Sequence, residues 1–124
     1  LNRTIERNGM DGISLTRLAE EHLEAARSSR AGRSAHTVHG GHDHMLRQTL
    51  IAMTAGTELA EHNSPGQATL QVLQGRVRVT AGADTWAGDA GDLLVIPPQR
   101  HGLHADADAV VLLTVLADSR DAQG

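Results

Sequence analysis

From Met45 to Leu116 the chain is a succession of short apolar runs, most of them closed by glycine or proline, with no helical period among them. Runs of that length, with a turn about every 8–12 residues, specify short strands packed as a β-sandwich or barrel. Leu46 to Met53 reads as a first strand, closed by Ala55-Gly56. Thr69 to Leu73 and Arg76 to Thr80 flank Gln74-Gly75, which predicts a tight hairpin. Across that turn Val72 would sit beside Val77 and Leu70 beside Val79, with Gln71 and Arg78 sharing the opposite face. Thr85-Trp86-Ala87 is a short strand before the loop Gly88 to Asp92. Leu93 to Ile96 is an apolar strand ended by Pro97-Pro98, since proline cannot donate to a ladder. Ala109 to Leu116 is apolar on both alternating faces except at Thr114, and such a strand needs cover on both sides.

Upstream the period changes. Leu15, Leu18, Ala19, Leu23 and Ala26 follow the three-and-four spacing of one buried helical face, with Ser14 as the N-cap and Glu20, Glu21 and Glu24 toward solvent. The serine, glycine and arginine of 28–41 read as a connection. The expected organisation is a flexible N-terminus over 1–13, a helix over 14–29, a linker over 30–44, a barrel over 45–117 and a flexible tail over 118–124. Met10 reads as an alternative start, which would make 1–9 an upstream extension.

Eleven basic against fifteen acidic residues leave a net charge of −4 with no basic stripe, which argues against a nucleic-acid surface. The absence of cysteine excludes disulfides, thiolate ligands and thiol nucleophiles. No apolar run approaches the roughly 20 residues of a membrane span, and the N-terminus lacks the apolar stretch of a secretory signal, so the expected location is cytoplasmic. Trp86 stands without any Phe or Tyr, so the core must be aliphatic and no aromatic platform exists for stacking bases or sugars.

The stretch Gly56-Thr-Glu-Leu-Ala-Glu-His62-Asn-Ser64-Pro-Gly-Gln-Ala68 through Gly75 resembles the first motif of the cupin superfamily: glycine, five residues, His-x-His, three or four residues, Glu, six residues, glycine. Gly91-Asp-Leu-Leu-Val-Ile-Pro97-Pro98-Gln-Arg-His101 resembles the second, glycine, five residues, Pro-x-Gly, two residues, His. Two departures fall in the first motif, where Ser64 replaces the second histidine and Ala68 the glutamate. In the second, Gln99 replaces a glycine and His101 comes one position early. The likeness covers roughly Leu46 to Leu116 and is to short, single-domain bacterial cupins with an N-terminal helix. It implies an all-β jelly-roll barrel with one α-helix.

In metal-binding cupins these motifs surround one divalent ion inside the barrel. Carried over, the resemblance implies His62 and, near the second-motif position, His101 as candidate metal ligands, with one divalent transition ion (Zn, Fe, Mn or Ni) as the cofactor; His104, three residues after His101, is the candidate for a third donor. Imidazole nitrogens suit such ions when they converge at about 2.0–2.1 Å. Ser64, Gln67 and Arg47 are candidate pocket residues, although alternation puts Gln67 on the face opposite Ala68, Leu70 and Val72. His42-Asp-His44 forms a His-x-His at a strand entrance and reads as a surface cluster or an accessory contact. His22, His36 and His39 are expected to face solvent.

Three readings of function follow. The first is a small single-domain cupin binding a small-molecule ligand in the barrel, with or without a metal at His62 and His101. The second is a metal-dependent dioxygenase or isomerase acting on a small polar acid or sugar. The third, a regulatory sensor, ranks last because no DNA-binding segment is visible. A homodimer is the expected assembly, with neither nucleic acid nor membrane as partner.

Overall fold

The computed structural model describes residues 5–7, 10–63 and 66–117. The chain runs β1 (Ile5–Arg7), β2 (Met10–Gly12), α1 (Leu15–Ser28), β3 (Arg33–His39), β4 (Leu46–Met53), β5 (Glu58–His62), β6 (Gly66–Gln74), β7 (Arg76–Ala81), β8 (Asp84–Asp89), β9 (Leu93–Val95), β10 (His101–Ala105) and β11 (Ala109–Ala117). A five-stranded sheet in the order β3-β4-β11-β6-β9 faces a four-stranded sheet, β5-β10-β7-β8, and their pairings are antiparallel. This is a jelly-roll barrel with one helix outside it.

Alternation decides which side chains look inward. Ala68, Leu70 and Val72 of β6 meet Val77 and Val79 of β7, Leu103 and Ala105 of β10 and Val111 of β11 in one buried cluster. The even residues of β11 face the outside, where a second cluster forms at one end of the strand. There Val110 joins Leu50 and Ala52 of β4 beneath Leu18, Ala19, Leu23 and Ala26 of α1. The doubly apolar final strand is covered by the barrel interior on one face and, over this part of its length, by the helix on the other. Ser14 caps α1, its hydroxyl accepting from the Arg17 backbone N–H at 3.1 Å.

The expected hairpin at Gln74-Gly75 is not one. β6 pairs with β11 and β9, whereas β7 pairs with β10 and β8, so the chain crosses here from one sheet to the other. Val72 and Val77 therefore meet across the sandwich core rather than beside each other in a ladder, and Gln71 and Arg78 lie on different sheets. Gly75 is required by close approach: its φ is 79°, and a Cβ there would stand 2.0 Å from the Asp108 carbonyl oxygen. Asp108 braces the same corner. Its carboxylate accepts from the Ala55 N–H at 2.9 Å and from Arg27 Nε at 3.0 Å, and these two contacts, the backbone one first, hold its carboxyl below the ordinary range.

Two further segments differ from expectation. Residues 33–39, read as linker, form the edge strand β3 against β4, from Arg33 opposite Met53 to His39 opposite Gln48. Ser34, His36 and Val38 are half-buried on alternate positions, but none gives a strong apolar signal in sequence. Within 1–13, read as flexible, β1 pairs with β2, Glu6 opposite Asp11. Such pairing is made by backbone groups and leaves no hydrophobic trace. The tail over 118–124 lies outside the described residues.

Candidate functional site

The barrel interior is not filled. A cavity of about 140 Å³ remains, walled by Ile51, Leu59, Leu70, Val79, Ile96, Leu103 and Leu113, with His62 and His101 as its polar lining. The register places the two imidazoles together. His101 opens β10, whose residues 101, 103 and 105 look inward, and it pairs directly with His62 at the end of β5. Their ring centroids are 4.6 Å apart, with the planes tilted by 58°. His101 is only 5% exposed, whereas His62 is exposed at the mouth. A neighbouring recess of about 300 Å³, lined by Arg33, Ser34, Ala35, Thr49, Ile51 and Leu59, shares Ile51 and Leu59 with the cavity as a common wall.

Both rings are held in the same way. His101 Nδ1 lies 3.0 Å from the Gln99 carbonyl oxygen, and His62 Nδ1 lies 3.2 Å from that of Ala60. A carbonyl only accepts, so each Nδ1 must donate its proton. In the neutral ring the lone pair is then on Nε2. A backbone bond to one nitrogen that leaves the other free is how an imidazole is oriented for a task.

The other candidates are not brought to this pair. His104 alternates to the outer face, where Nδ1 bonds Glu58 Oε2 at 2.8 Å and Nε2 lies 3.4 Å from Thr80 Oγ1. Gln67 is exposed beside buried Ala68, on the opposite face of β6. Arg47 shares the inward side of β4, yet its guanidinium turns to the preceding loop and donates to the carbonyls of Gly41, His42 and His44. Ser64 lies outside the described residues. His42 and His44 are exposed, and the His44 ring meets that of His39 edge-on at 5.4 Å. His44, but not His42, borders an open groove of about 610 Å³ on the outside of the sheet, lined also by Asp11, Val38, His39, Leu46 and Gln48. That groove is larger than the cavity but more open and about half polar, whereas the interior space is almost wholly apolar. His22 and His36, expected in solvent, are half-buried between α1 and β3.

This donor set bears on metal binding. A zinc-type site needs three protein ligands even when it keeps a position open for substrate. Here two imidazoles stand together, Ala68 occupies the glutamate position of the first motif and His104 points outward. Among the described residues no group of three or more His, Cys, Asp or Glu is placed to hold an ion. The residues at the cavity do not fit a tightly held resident metal.

The aliphatic walls were not among the residues picked out from the sequence. Their signal was present in the inward phase of each strand, yet the phase tells which side a residue faces and not whether space is left between the sheets.

A sequence comparison with curated proteins finds no match. Among solved structures, a conserved protein of unknown function from Streptococcus pyogenes superposes with a TM-score of 0.67 at 21% identity, covering 94% of each chain. A cupin superfamily protein from Desulfitobacterium hafniense gives 0.64 at 17% identity, over 69% of this chain and 78% of that one. A variant of salicylate 1,2-dioxygenase from Pseudoaminobacter salicylatoxidans gives 0.70 at 22% identity, over 85% of this chain but 35% of the enzyme's. No described helix is long and apolar enough to cross a membrane. The family model described as the cupin domain matches residues 49–116, more than half of the sequence, and with the jelly roll, the paired sheets and the histidine at the head of β10 it places this chain in the cupin family.

Proposed function

We propose that this cupin is a binding protein that takes a small, largely apolar molecule into its barrel and orients it against His62 and His101. One observation carries the reading: an interior space of about 140 Å³, open at a mouth, whose walls are seven aliphatic side chains and whose polar residues are two oriented histidines. Apolar walls with a few fixed polar groups are the usual make-up of a small-molecule site. The second reading, a metal-dependent dioxygenase or isomerase acting on a small polar acid or sugar, draws on the fold it shares with the salicylate enzyme. Two donors and an apolar lining weigh against it.

Both readings meet in one experiment on untagged protein. Trp86 is the single tryptophan, packs against the interior cluster and lies across the ladder from Val79, so its fluorescence reports on the cavity. Saturable fluorescence change with a benzene-sized probe, abolished by Leu113→Phe with the circular dichroism spectrum unchanged, is the expected result. Metal content should be well below one per chain and unchanged in His62→Ala and His101→Ala. Stoichiometric metal lost from both variants would replace this reading with the enzyme.

A homodimer accompanies the proposal. Where α1 does not reach, the outer face of the five-stranded sheet carries Leu46, Leu116, Leu93 and Val95, between 44% and 72% exposed. The register sets Gln48, Thr114, Thr69, Gln67 and Gln71 among them, so these positions carry no charge. An uncharged face of mixed Leu, Val, Gln and Thr matches a second copy of itself in polarity, and exposed apolar patches mark association surfaces. The wild type should sediment as a dimer and Leu116→Asp with Val95→Asp as a monomer. A monomeric wild type would remove this element.

A further inference from the structure

Resting on the cavity reading above, we infer that the site selects a guest by one hydrogen-bond donor: a small apolar alcohol or phenol, in preference to a hydrocarbon or a carboxylate of similar shape. With Nδ1–H of His101 committed to the Gln99 carbonyl, Nε2 of the neutral ring offers only a lone pair. His101 is 5% exposed, and among the described residues this nitrogen has no hydrogen-bond partner. Every described side-chain nitrogen or oxygen that is fully sealed does have one. The Nε2 of His101 is therefore not sealed, and the space its ring borders is the cavity.

The walls decide what that lone pair can meet. Apart from His62, whose Nε2 is by the same reasoning an acceptor, the lining is aliphatic and supplies no donor. A hydrocarbon guest would leave the His101 acceptor unpaired in a dry site, which is unfavourable. A carboxylate would bring further acceptors and a charge to a wall without donors, which is worse. One O–H satisfies Nε2 while the rest of the molecule fills aliphatic space. The size limit comes from volume: a cavity of about 150 Å³ lined by aliphatic and aromatic side chains holds benzene. At about 140 Å³ the guest is benzene-sized, with phenol as the natural probe.

The test compares phenol, toluene and benzoate by titration calorimetry with the intact chain at about pH 8, where phenol keeps its proton and benzoate has lost its own. Phenol should bind about three- to tenfold more tightly than toluene, the range of one net hydrogen bond. Benzoate should bind more weakly than both. In His101→Leu, phenol and toluene should become equal within about a factor of two, toluene binding being retained. As a readout that needs no variant, the ¹⁵N resonance of His101 Nε2 should shift on adding phenol and stay in place with toluene. Benzoate binding tightest, or a phenol preference without the ¹⁵N shift, overturns the inference while leaving the cavity reading intact. If none of the three binds, toluene included, the cavity reading fails and takes the inference with it.

Discussion

Two histidine pairs in this molecule have nearly the same geometry and different consequences. The rings of His62 and His101 are 4.6 Å apart, and those of His22 and His36 are 5.1 Å apart. Each pair joins two elements, β5 with β10 in the first case and α1 with β3 in the second. What differs is the partner of Nδ1. In the first pair both Nδ1 atoms face backbone carbonyls, which fixes the tautomer of the neutral ring and leaves Nε2 as its acceptor. In the second, His22 Nδ1 meets the Ser34 hydroxyl at 2.7 Å, a group that can donate or accept, so the tautomer is not imposed. Neither His22 nor His36 lines the groove, the recess or the cavity described above. Proximity of imidazoles does not make a site; a fixed tautomer and space beside it do.

The strongest way to break the comparison is to undo the second pair's setting without touching the first. Leu18 is fully buried between α1 and the outer face of β4 and β11. Leu18→Ala should cost about 2–5 kcal/mol by loss of packing and by the cavity left behind, measured by urea denaturation. The phenol affinity of the folded fraction should be unchanged, because the barrel interior is a separate cluster. A parallel loss of affinity would mean that the helix and the interior cavity act as one unit, and the contrast between the pairs would lose its meaning.

The same contrast explains what was legible in the sequence. Helix α1, strand β4 and the doubly apolar β11 could be read because their periods are long and their apolar residues many. The inward phase of Ala68, Leu70 and Val72 was equally plain, and it already placed Gln67 outside. Gln74-Gly75 was misread because a hairpin and a crossing between sheets carry the same local signal, a glycine at positive φ between two alternating runs. The deciding fact is the backbone of Asp108, thirty-odd residues away, packed against Gly75. For β3 the failure was one of strength: Ser34, His36 and Val38 alternate, but tertiary contact with α1 supplies what their side chains do not announce. His104 looked like a ligand by spacing, three residues after His101, and only the strand phase turns it to Glu58.

A smaller effect sharpens the comparison through pH. Burial lowers the proton affinity of His22, His36 beside it lowers it further, and Glu21 partly opposes both. A histidine harder to protonate folded than unfolded contributes no penalty above its ordinary value of 6.5. As pH falls through that value the unfolded chain takes up the proton first, so stability is lost from there down to the depressed folded value. Urea denaturation across that window should therefore show a steeper decline for the wild type than for His22→Gln, whose amide can still meet Ser34. His36→Gln should flatten the decline less, since it removes the neighbouring charge and leaves the larger cause, burial, in place. Equal slopes in all three proteins would show that the helix-side pair does not couple protonation to folding. The two pairs would then differ in tautomer alone.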